Sequence, residues 1–194
     1  MGAIMLTIYN IAQNSFARAF NEVEVGIEVG ALRGIVAGGI GGAGLGLALK
    51  DKIRTYTFAL AGAIGFGIAF ALVISIDSSV APNIGRAIIR LMGNPGILSM
   101  YETELAHGLG TGAIVGAVGG SVLGLAAPKY KAISCLLLCF AGIVSFANVF
   151  AVGNILFDGD FFSAWNAWGG AVGGAVLGAA LSLYYIISDH MVRR

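Results

Sequence analysis

The chain has 194 residues, of which 58% are hydrophobic and 11% charged, with a formal net charge of +1. That length suits one domain, and that balance describes a membrane protein rather than a soluble one. With no basic block to release counterions, nucleic acid is not expected as a partner; membrane lipid is.

Residues 1–20, MGAIMLTIYNIAQNSFARAF, lack the basic start, unbroken apolar run and small-residue cleavage site of a signal peptide, so the first span is expected to be retained. Met1-Gly2 suggests myristoylation, but Leu6 stands where that motif needs Ser or Thr. Within 4–20, Met5, Ile8, Ala12, Phe16 and Phe20 form one helical stripe, with Asn10, Gln13, Asn14 and Arg18 elsewhere. The pattern predicts a helix lying at the outer surface of the membrane.

Apolar runs near membrane length predict spans at about 25–49, 56–76, 105–127, 132–153 and 164–187. The first carries glycine at every fourth position, Gly26, Gly30, Gly34, Gly38, Gly42 and Gly46, and also holds Glu28 and Arg33. Glycine costs a helix about 1 kcal/mol per site relative to alanine. Lipid offers the backbone no hydrogen bonds, so a helix is nearly obligatory there, and small residues let two helix backbones approach closely. Gly39, Gly41 and Gly44 formally match the dinucleotide fingerprint GxGxxG, but that motif needs a strand before it and a soluble βαβ unit around it.

Between the second and third spans, VAPNIGRAIIRLM (80–92) predicts a second interfacial helix, with Pro82 near its start and Ile84, Ile88 and Leu91 on its apolar side. The third span continues the glycine row as Gly108, Gly112, Gly116, Gly120 and Gly124, and the fifth as Gly170, Gly174 and Gly178. GGIGGAGLGLAL (38–49), GAVGGSVLGLAA (116–127) and GAVGGAVLGAAL (170–181) superpose without a gap. The second and fourth spans also correspond, as AGAIGFGIAFA (61–71) and AGIVSFANVFA (141–151). The expected fold class is therefore an all-α integral membrane protein with a parallel internal repeat of 2+2+1 spans, the last glycine-rich span lacking a Phe-rich companion. The aromatic-rich ILFDGDFFSAW (155–165) reads as a headgroup anchor.

Lys50, Lys52, Arg54, Lys129, Lys131, Arg193 and Arg194 gather on one side of these spans, against Arg18, Arg86 and Arg90 on the other. The positive-inside rule then puts the N-terminus outside and the C-terminus in the cytoplasm or its equivalent. Cys135 and Cys139, one helical turn apart, are expected to be reduced and buried. No metal or other cofactor is expected.

Five residues depart from the repeat and make a candidate polar site. Arg33 aligns with Thr111 and sits roughly 10 Å below the outer boundary at about 1.5 Å per residue; an intramembrane charge is a functional hypothesis by default. Glu28 is poorly placed to pair with it on the same helix, so Glu102 or Glu104 of a neighbour is an equal partner. His107 marks the outer mouth of the third span, and Asn148, near mid-membrane, is expected to bond across helices. No nucleophile with a base and no metal-ligand set appears, so an enzyme is not expected.

The small-xxx-small spans resemble those of glycine-zipper membrane proteins and of the mitochondrial import-channel families in packing habit; those families usually have four spans, and no site residue carries over. Two functions follow as expectations. One is a scaffold or accessory subunit that packs in a homo-oligomer or with other membrane subunits, the fifth span being free to meet another chain. The other is a small channel or carrier with a pathway near Arg33.

Overall fold

The computed structural model describes residues 27–76, 79–93, 101–128, 130–157 and 165–192. Among them every regular element is helical: α1 (Ile27–Ala48), α2 (Lys52–Ser75), α3 (Val80–Leu91), α4 (Glu102–Leu125), α5 (Lys131–Phe157) and α6 (Trp165–Val192). Four stretches are long and apolar enough to cross a membrane: Gly30–Ala48, Lys52–Ser75, Glu102–Leu125 and Lys131–Gly153. The apolar stretch described in α6, Gly173–Ser188, is shorter. The helix expected at 4–20 and residues 158–164 of the aromatic-rich stretch lie outside the described residues.

Two helical hairpins, α1 with α2 and α4 with α5, form the main body. Each is closed by a short linker containing a residue in the left-handed region, Lys50 at φ 54° and Tyr130 at φ 42°. Asp51 starts α2: its Oδ1 accepts the backbone N–H groups of Ile53 at 3.0 Å and Arg54 at 3.3 Å, satisfying donors that the first turn leaves over. At the other hairpin the Ser134 hydroxyl donates to the Gly124 carbonyl at 2.7 Å, tying the start of α5 to the end of α4.

The glycine rows decide how closely the hairpins close. A Cβ on Gly34, Gly38 or Gly42 would fall on the carbonyl of Phe66, Gly62 or Phe58 of α2. A Cβ on Gly112, Gly116 or Gly120 would fall on the carbonyl of Phe146, Gly142 or Leu138 of α5. These are residues in corresponding sequence positions, so the two hairpins close in one register. Backbone thus meets backbone directly, where a side chain would hold the helices apart.

The Phe rings go elsewhere. That of Phe66 covers Gly119 of α4, one residue away from the row, and that of Phe146 lies beside Gly173 of α6. The rows of α1 and α4 thus receive the partner backbone, in keeping with the close backbone approach expected of small residues, and the rings lie beside the rows. The rings then stack between the hairpins, with Phe66 and Phe146 centroids 5.1 Å apart and those of Phe70 and Phe150 6.3 Å apart. One core cluster draws on all five long helices, including Leu45, Leu123 and Leu177, which occupy corresponding positions in α1, α4 and α6.

The short helix α3 packs on α4. A Cβ on Gly85 would meet the Ala106 carbonyl, and one on Gly110 the Ala81 carbonyl. Its buried face is Ala81, Gly85 and Ile89, whereas Leu91 is 88% exposed. This shifts the apolar side expected from Ile84, Ile88 and Leu91, because close backbone approach selects the small residues and leaves Ile84 and Ile88 at the seam's edge.

Candidate functional site

The five polar residues singled out in the sequence fall on three helices and in different surroundings. Glu28, in the first turn of α1, is exposed, and Arg33 is half-buried and makes a contact within the fold. On α4, His107 is exposed while Thr111, one turn on, is 8% exposed, with its hydroxyl lacking a hydrogen-bond partner among the described residues. Asn148 of α5 is exposed, and its side-chain amide donates to the Val144 carbonyl of its own helix at 2.6 Å. Among the described residues the expected bond across helices is not made: Asn148 lies on an exposed row with Val144, and its own preceding turn supplies the acceptor.

The glycines named with them have clearer neighbours. Gly30 opposes the Ile74 side chain, Gly46 the backbone of Thr55, and Gly124 the backbone of Cys135. Together with the contacts above, the rows of α1 and α4 are occupied along their length. In α6 the corresponding row differs: a Cβ on Gly174 would meet nothing within 4 Å, and one on Gly178 only Leu45 Cδ2 at 3.8 Å. The surroundings of Gly170 lie outside the described residues.

A polar cluster of which sequence reading used only Arg54, for orientation, lies at the opposite end of the bundle. Arg54 Nε pairs with Asp51 Oδ2 at 3.1 Å, Arg54 Nη1 donates to the Tyr185 hydroxyl at 2.9 Å, and the guanidinium carbon sits 5.1 Å from the Tyr185 ring centroid. Tyr185 in turn lies edge-on to the fully buried Tyr184. The Asp-x-x-Arg spacing was visible as an i,i+3 pair. Its partner on α6, more than a hundred residues away, was not. The arrangement clamps α2 to α6.

Among the described residues the other buried polar groups are Ser134, Ser145 and Ser188, which join Thr111. Ser134 and Ser188 are bonded to carbonyls, whereas the hydroxyl of Ser145, 2% exposed, has no partner among the described residues. Cys135 and Cys139 are half-buried free thiols, less buried than expected. Among the described residues no three His, Cys, Asp or Glu side chains are placed to share a metal ion. No protein-family model, curated protein or solved structure matches the chain.

Proposed function

We propose that this is a non-enzymatic, multi-pass membrane protein with a structural role: a close-packed accessory subunit of a membrane complex or of a homo-oligomer. In this reading the chain has five spans in a parallel 2+2+1 repeat, with α1 entering from the outer side. The α1–α2 linker and the C-terminus then lie on the cytoplasmic or equivalent side, where Lys50, Lys52, Arg54, Arg193 and Arg194 satisfy the positive-inside rule.

The observation that carries the reading is the way the interior is filled. Both hairpins close backbone to backbone along glycine rows in one register, and the core between them is apolar apart from isolated hydroxyls. Such an interior favours a rigid packing body over a polar path. The second reading, a small channel or carrier for an ion or solute, draws on the half-buried Arg33 and the unpartnered Thr111 hydroxyl.

Two measurements separate them. In mild detergent the particle mass is expected to exceed that of one chain, through self-association or a co-purifying subunit; a strict monomer would sink the subunit reading. In liposomes, solute and ion leakage is expected to match that of empty vesicles. Flux that falls with Arg33→Ala would establish the channel instead.

A further inference from the structure

The two hairpins present corresponding outer rows. Along α2 the row runs Leu60, Ile64, Ile68, Leu72, and along α5 it runs Phe140, Val144, Asn148, Val152; every one of these side chains is exposed among the described residues. The alignment of AGAIGFGIAFA with AGIVSFANVFA matches the rows member for member. Their exposures match as well, at 63% for Leu60 and 69% for Phe140 at one end, and 40% for Leu72 and 43% for Val152 at the other. The rows therefore differ in chemistry and not in placement.

The difference is confined to three consecutive members. Where α2 has Ile64, Ile68 and Leu72, α5 has the smaller Val144, Asn148 and Val152. An aliphatic row suits lipid, as in α2. The α5 row instead sets a carboxamide inside the membrane-length stretch Lys131–Gly153 and trims the side chains one turn to either side of it. Smaller side chains let a second helix come close, and the carboxamide gives that helix a hydrogen-bonding partner.

The bonds left open on Asn148 say what the second helix carries. One amide N–H is spent on the Val144 carbonyl at 2.6 Å, and among the described residues that is the only side-chain bond Asn148 makes. A carboxamide has two N–H donors and an acceptor oxygen, so one donor and the oxygen remain. Hydrocarbon satisfies neither. A group with one open donor and one open acceptor is complementary to itself: two of them related by a two-fold axis exchange a pair of N–H···O bonds.

We propose that the α5 row centred on Asn148 is the surface through which two copies of this chain associate. The interface is isologous, with Asn148 beside the two-fold axis and facing its own copy. That axis lies along the membrane normal, so both carboxamides sit at one depth, and α2 keeps its aliphatic row toward lipid. The proposal rests on the homo-oligomer form of the function proposed above and names the surface that forms it.

Two experiments on the full-length chain test it. In the first, Asn148→Cys is made with Cys135 and Cys139 changed to Ser, and the protein is oxidised in membranes. The side chain is exposed, so the thiol enters without a clash, and contact across the axis brings the two Cα atoms within the roughly 4.4–6.8 Å a disulfide needs. The expected result is a disulfide at the mass of two chains, while Ile68→Cys, in the corresponding place on α2, stays at the mass of one. No two-chain product from Asn148→Cys overturns the proposal, as it would if another part of this chain covered the row; so does an equal yield from Ile68→Cys.

The second experiment measures self-association by energy transfer between donor- and acceptor-labelled chains diluted in liposomes. Asn148→Ile, which restores the residue found in α2, is expected to weaken association about 3- to 30-fold, the effect of a hydrogen bond between membrane helices. Asn148→Gln, which keeps the carboxamide, should weaken it less. Unchanged association of Asn148→Ile refutes the interface. If the particle is nonetheless heavier than one chain, the subunit reading survives that refutation; a strict monomer removes both.

Discussion

Two adjacent glycines of α1 show how sharply position decides the role of a residue type. A Cβ on Gly38 would fall on the backbone of Gly62, where nothing can yield without separating the helices, whereas a Cβ on Gly39 would meet the Ala63 methyl at an ordinary 3.6 Å. Gly38→Ala is therefore expected to destabilise the fold by about 1–3 kcal/mol, the usual cost of overpacking. Gly39→Ala should leave stability unchanged or raise it by up to about 1 kcal/mol, the helix preference of alanine over glycine, because its methyl meets no obstacle. Equilibrium unfolding of the two variants in mixed micelles checks the contrast; equal stability would mean that the α1 row is not a close contact. The polar residues teach the converse. Asn148 donates to its own helix through Val144, so its presence in an apolar span marks an outward face rather than a link between the described helices of one chain.

At the scale of elements, each long helix presents a different mixture of close and ordinary contact. The hairpins rest on backbone approach, which is strong but silent in chemistry. The joint between hairpins rests on aromatic rings, Phe66 against Phe146 and Phe70 against Phe150. Tilted ring pairs at these distances contribute about 0.5–1.5 kcal/mol beyond their buried area. A double-mutant cycle on Phe66→Ala and Phe146→Ala is expected to return a coupling in that range. Phe66→Ala alone should cost more than the coupling, because its ring also covers Gly119. Purely additive single changes would show that the hairpins are held together by other contacts. The helix α3 adds a third backbone approach through Gly85 and Gly110, which explains why so short an element is well placed on α4.

For the whole molecule, the repeated hairpin leads to a bundle whose two ends differ in charge. The end carrying the α1–α2 linker holds Lys50, Lys52 and the Asp51–Arg54–Tyr185 cluster, and the end where α4 begins holds Glu102 and Glu104. Single cysteines at Lys52 and Glu102 are expected to react with an impermeant thiol reagent from opposite sides of the membrane, Lys52→Cys from the cytoplasmic side. Labelling of both from one side would rule out the crossing of α2 and the proposed orientation together. The Arg54 clamp on Tyr185 ties α6 to α2 at that end, so the described helices are joined both through the Phe rings and through one polar contact.

Composition and periodicity by themselves determined that the chain is helical and apolar enough for a membrane, roughly where its long helices begin and end, and which glycines share a helix face. Those properties are local: they depend on residues within a few turns of one another and on the refusal of lipid to hydrogen-bond the backbone. What only the tertiary structure decided is which surface meets which. The rows of α1 and α4 receive carbonyls and not rings, α3 turns Ala81 and Gly85 inward in place of Leu91, and Arg54 finds Tyr185 across the chain. The candidate polar residues are likewise spread over exposed and buried settings that their alignment could not separate. A glycine has no side chain to announce its partner, so its row fixes how near a neighbour can come, and only the folded bundle says which neighbour comes.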